Sequence, residues 1–125
     1  MIAQSLLSLA AGADTRSNYL IRLACRWADR ADRAGLRIDR LHHLGEAWAI
    51  LACPGVDSLR ARREVCRAIV AALTPFELAD LARHATAGRW ALELGYTEHG
   101  VDADGVREIV YTQLGAEILA VTGPG

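Results

Sequence analysis

Residues 15–34, TRSNYLIRLACRWADRADRA, decide the fold class, because their apolar positions return every three or four residues. Leu20, Leu23, Ala24, Trp27, Ala28, Ala31 and Ala34 cover one side of a helix of about 3.6 residues per turn, while Arg22, Arg26, Arg30 and Arg33 line the other. An amphipathic helix is the expectation. The alanines on its core side add little bulk, so a partner helix can approach to the short end of the usual range of about 8–10 Å between axes.

The same period continues outward in both directions. Residues 39–52 place Leu41, Leu44, Trp48 and Leu51 on one face and stop at Cys53-Pro54-Gly55. Pro54 disfavours helical geometry in the residue before it, and Gly55 supplies the turn. A further helix is expected from Asp57, whose carboxylate suits a cap, to Leu73, with Val65, Cys66, Ile69, Val70 and Leu73 as its core stripe. Thr74-Pro75-Phe76-Glu77 is a capping box with proline at the first helical position, and it predicts a helix carrying Leu78, Leu81, Ala82, Ala85 and Leu92 to Gly95. After a loop over residues 96–101, Asp102 caps a last helix bearing Val106, Ile109, Val110, Leu114 and Val121. Toward the N-terminus, Ile2, Leu6, Leu7 and Leu9 suit a short helix laid on its neighbours. Ala11-Gly12-Ala13 is the kind of sequence at which secretory signals are cut, but no Arg or Lys precedes it, and Gln4, Ser5 and Ser8 interrupt the apolar stretch. No run of alternating β-branched residues suggests a strand. The expected fold is all-α: residues 1–125 form a single helical domain, a bundle of about five helices plus a short N-terminal helix.

Composition narrows the class. With 125 residues, 52% apolar and 23% charged, and a mean hydropathy of +0.14, the chain can bury a core, which excludes collagen-like, mucin-like and disordered classes. No apolar run reaches the length of a membrane span, so no membrane partner is expected. All fourteen basic residues are Arg, and they are unevenly spread. Residues 1–67 hold eleven Arg against seven acids, whereas residues 68–125 hold three against eight. Such polarity can close within the fold, stack copies head to tail, or offer the basic half to phosphates. Cys25, Cys53 and Cys66 form an odd set without a C-x-x-C pair, which points to a reducing, cytoplasmic setting rather than to a disulfide framework or zinc knuckle.

Three constellations bear on chemistry. His42, Glu46 and Cys53 share a stripe on their helix, but the seven residues from Glu46 to Cys53 span roughly 10 Å of helix rise, too far for one ion. His42 and Glu46 could share a metal only if further ligands, such as His84, Glu98 or His99, converged on them. Cys25 stands between Arg22 and Arg26, a setting that stabilises a thiolate, yet no His lies at helical spacing to act as base. A small enzyme or a metal or redox site around His42, Glu46 or Cys25 is therefore the third choice, and no cofactor is implied.

Binding is the more economical expectation. Phe76, Trp90 and Leu94 fall together on the wheel of their helix, away from Leu78, Leu81, Ala85 and Leu92, so one neighbour cannot bury both sets. These three are the candidate partner-binding residues of a self-associating or adaptor subunit in a larger assembly. Nucleic-acid binding is the alternative, through Arg60, Arg63 and Arg67 on one side of their helix. Asp29 and Asp32 interleave with the other Arg ridge, and a pI of 6.4 is low for a dedicated nucleic-acid binder. Arg62, Gln113 and Glu117 interrupt apolar arcs, so either those faces are wet or an Arg62–Glu117 pair joins the basic and acidic halves.

Overall fold

The computed structural model describes residues 1–83 and 88–122. In chain order these form α1 (Ile2–Ala10), α2 (Thr15–Arg33), α3 (Arg37–Leu51), α4 (Leu59–Ala72), α5 (Pro75–Leu81), α6 (Arg89–Glu93), β1 (Thr97–Val101), β2 (Arg107–Tyr111) and α7 (Gln113–Thr122). The architecture is an all-α bundle carrying one small hairpin. No helix among the described residues is long and apolar enough to cross a membrane.

Side chains from distant elements satisfy the backbone groups that helix ends leave open. Asp14 starts α2 by accepting from Ser17 N at 2.8 Å. Asp32, near the end of that helix, accepts from Ile2 N at 3.3 Å and Ala3 N at 3.2 Å, and so holds the first turn of α1. Asn18 donates to Ala10 O at 2.6 Å, Arg40 to Ala31 O at 3.3 Å and Arg37 to Ala72 O at 3.3 Å, which closes the last turns of α1, α2 and α4. Helix ends are thus tied to one another and not only to solvent.

Helix α3 packs between α2 and α4, with α1 against α2 and α4, and α7 against α4. Leu6, Ile21, Leu41, Leu44, Leu51, Val65, Ile69, Leu81, Tyr96 and Ile118 are buried between them. The buried stripe of α2 is Ser17, Ile21, Ala24, Cys25, Ala28 and Ala31, rotated from the expected one, and Leu20, Leu23 and Trp27 are only half-buried. Small residues decide this, since the Ala and Cys positions admit α1 and α3 more closely than Leu and Trp would. Trp27 instead lies under the Arg30 guanidinium, 4.5 Å from its centroid, and tilts against His43.

Three boundaries differ from the sequence expectation. Asp57 does not cap α4, because Ser58 takes the N-cap position and its hydroxyl donates to Leu51 O. The capping box at Thr74 is present, with Glu77 N donating to Thr74 Oγ1 at 3.1 Å and Thr74 N to Glu77 Oε1 at 2.8 Å. Its helix ends at Leu81, however, and a separate α6 begins at Arg89 after Gly88. His84 and Ala85 lie outside the described residues.

The third difference is the hairpin, which replaces the first half of the expected last helix. Asp102 does not cap a helix there. Its Oδ1 accepts from Asp104 N and Val106 N, both at 2.9 Å, and Gly105 takes φ +79°, so the chain turns back on itself. Val106 precedes β2 and Ile109 and Val110 lie in it, with Thr97 paired to Tyr111 and Val101 to Arg107. The chain enters α7 through Thr112, whose hydroxyl donates to Gly95 O at 2.6 Å and accepts from Gly115 N at 3.1 Å.

Candidate functional site

The hairpin stands out from the helices. β1 packs on α6 and β2 on α7, and Tyr111 donates its hydroxyl to Leu81 O at 2.6 Å, so its base is fixed while its outer part faces solvent. Val101 and Val106, 65% and 60% exposed, flank the turn, and Asp102 N donates to Val106 O at 2.9 Å behind them. β1 and β2 pair only with each other among the described residues, so each has an outer edge of open N–H and C=O groups. Glu98, Asp102, Asp104 and Glu108 against Arg107 give residues 97–111 a net charge of −3 with His99 neutral.

Phe76, Trp90 and Leu94 do not form the patch that a continuous helix predicts, because they occupy separate elements. Phe76, on the first turn of α5, is 72% exposed. Trp90 and Leu94 pack against the core. The Trp90 ring meets buried Tyr96 edge-on at 6.0 Å, and its Nε1 donates to Asp80 Oδ2 at 2.9 Å. That bond, with one from Gly88 N, holds the Asp80 carboxyl below its usual pKa. Phe76 has different company. The next residue, Glu77, pairs with Arg37 at 2.6 Å, and Arg37 is flanked by exposed Leu36 and Ile38.

The basic and acidic halves do meet through Arg62 and Glu117, 3.3 Å apart on α4 and α7. Glu117 also accepts from Trp48 Nε1 at 3.1 Å and Gln113 Nε2 at 3.0 Å, so one carboxylate ties α3, α4 and α7 together. Beside this network a groove of about 370 Å³ runs between α4 and α7, lined by Leu59, Arg63, Cys66, Arg67, Glu117 and Val121 among others. Arg60, Arg63 and Arg67 are exposed on α4. Arg67 pairs with Glu64 at 2.8 Å, whereas Arg60 and Arg63 have no ion-pair partner among the described residues. On α2, Asp29 pairs with Arg33 at 3.3 Å, but Asp32 is turned to α1 and leaves the Arg ridge.

His42 and Glu46 are exposed and line a second groove, of about 500 Å³, with Trp48, Glu93, Leu94 and Gln113 among its walls. No three His, Cys, Asp or Glu side chains converge to hold a metal ion among the described residues. Cys25 departs from the expected polar-face thiol: it is buried, and its Sγ contacts Ala3 O at 3.8 Å. Burial pushes its pKa up against the pull of Arg22, the opposite of an activated cysteine. Cys66 is also buried, and desolvation, reinforced by Glu117 and opposed by Arg62, pushes its pKa up to about 12. Sequence reasoning missed the hairpin edges and the Leu36–Ile38 pair. An Asp-Gly turn between β-branched residues was the available signal for the first, and Leu36 and Ile38 lay outside the expected helix. No protein-family model, curated protein or solved structure matches the chain.

Proposed function

We propose that this chain is a non-catalytic interaction module, a self-associating or adaptor subunit of a larger cytoplasmic assembly. The observation that carries this reading is the hairpin: a two-stranded sheet anchored at its base, with open edges and two exposed valines at its outer end. An isolated hairpin is marginal in water, and exposed strand edges are templates for pairing, so a covering partner stabilises this element. Free Cys25, Cys53 and Cys66 fit a reducing compartment. The test is retention of native-host proteins on the immobilised chain after nuclease treatment, compared with a Val101→Asp/Val106→Asp variant. Both positions are exposed, so the variant keeps the fold. Partners held by the parent and lost by the variant support the reading, and identical retention by both, or none by either, overturns it.

A second reading, nucleic-acid binding, is favoured by one observation, that Arg60 and Arg63 are exposed without ion-pair partners among the described residues. If they contact phosphates, neutralising each lowers the salt slope of binding by about one and weakens all sequences alike. No binding to DNA or RNA at low salt removes it.

A further inference from the structure

We propose that the hairpin turn of one copy seats in the α4–α7 groove of a second copy, so that the chains assemble head to tail. The proposal rests on the interaction-module reading and names the partner. Two surfaces of the same chain match in both charge and polarity. The turn presents Val101 and Val106 beside Asp104, within a hairpin of net charge −3. The groove presents Leu59, 45% exposed, with Val121 as apolar lining and Arg63 and Arg67 as cations. Four Arg against one Glu give α4 a net charge of +3.

The receiving side is open to an acid. Arg63 has no ion-pair partner among the described residues, and Arg67 has only the exposed Glu64 one helical turn away. Glu117, the one carboxylate lining the groove among the described residues, is engaged by Arg62, Trp48 and Gln113, which offset its repulsion of an incoming aspartate. The donating side is equally unengaged: Asp104 makes its turn contact through its backbone N–H and leaves the carboxylate to solvent. The chain's own hairpin packs on α6 and α7, with its base held at Leu81, so it does not occupy the groove itself. A contact between two different surfaces of one chain is heterologous, and it closes into a ring or extends as an array.

Sedimentation velocity over a range of concentrations tests this, with parent, Asp104→Arg and Arg63→Glu. Both residues are exposed, so the variants keep the fold, as far-UV circular dichroism verifies. The parent is expected to associate with concentration and less so as salt rises, and each reversal to raise the dissociation constant by about tenfold or more. Mixing the two variants is the decisive arm. The intact hairpin of Arg63→Glu then meets the intact groove of Asp104→Arg, and association returns. Association of the parent unchanged by either reversal overturns this docking mode but leaves the interaction-module reading standing. A parent that stays monomeric overturns the docking, and the retention experiment on native-host proteins then decides the broader reading. Association that disappears on nuclease treatment, or short duplex DNA bound by the parent and Asp104→Arg but not by Arg63→Glu, assigns the groove to phosphates and overturns the proposal.

Discussion

Gly115→Ala is expected to destabilise the protein although it replaces glycine inside a helix. A Cβ built on Gly115 would lie 1.9 Å from Tyr96 O and 2.9 Å from Tyr96 C, both backbone atoms. Ordinary contact begins at 3.4 Å, so α7 and the chain at Tyr96 must separate by about 1.5 Å. Neither side yields freely. Tyr96 is fully buried, its carbonyl accepts from Thr112 N at 3.2 Å, and the Thr112 hydroxyl links Gly95 O to Gly115 N. Overpacking of this kind costs about 1–3 kcal/mol, and each hydrogen bond lost adds about 1 kcal/mol, while the better helix propensity of Ala returns about 1 kcal/mol. With one such bond lost the net is a loss of about 1–3 kcal/mol, or roughly 4–12 °C in Tm for a domain of this size. Gly45→Ala is the internal control, because nothing lies within 4 Å of a Cβ there and the same propensity gain stands alone, about 0.5–1 kcal/mol of stabilisation. Denaturant titration of parent and both variants by circular dichroism, at unchanged m, measures the pair. A Gly115→Ala protein as stable as the parent, or more so, refutes the close approach of α7 to Tyr96.

Other outcomes follow from single contacts. Trp48→Phe removes the indole N–H from Glu117 and is expected to cost about 1 kcal/mol, read from the same titrations; no change would show the bond to be neutral. Cys53, exposed, should react with a thiol reagent in the folded protein, whereas buried Cys25 and Cys66 react only on unfolding, and prompt modification of all three contradicts their burial. Burial pushes the Glu77 carboxyl up, but hydrogen bonds from Thr74 and the Arg37 guanidinium outweigh it and hold its pKa below the usual value. A depressed folded pKa contributes stability above the unfolded value, about 4.3, that is lost as pH falls through the folded one, so Glu77→Gln should flatten the acid limb of the stability profile; an unaltered limb counts against the contact.

What was legible in the sequence was what short stretches encode by themselves. The Thr74–Glu77 capping box, the turn at Gly55 and the helix end at Gly95, both glycines at positive φ, and the helical period of residues 15–34 appear in the structure because each depends on neighbours within a turn or two. The hairpin escaped for a physical reason. Val106, Ile109 and Val110 fit a helix as well as a strand, and five-residue strands give too few alternations to separate the two periods. Asp102 has one carboxylate that suits either a helix start or a turn, and the competition is settled by Gly105 at positive φ, which favours the turn.

The same distinction governs the candidate site. Arg62 and Glu117 were visible as polar residues inside apolar arcs, and they meet because a half-buried charge in either helix needs its opposite. Phe76, Trp90 and Leu94 looked like one face only on the premise of an unbroken helix, and the break before Arg89 sends Trp90 to Asp80 and Tyr96. Phe76 stays exposed on α5, and further exposed apolar side chains stand at Leu36 and Ile38 beside the Arg37–Glu77 pair and at the valines of the hairpin. Surfaces made by loops and strand ends follow from how elements meet, and here they add Leu36, Val101 and Val106 to the exposed apolar side chains that the helices carry.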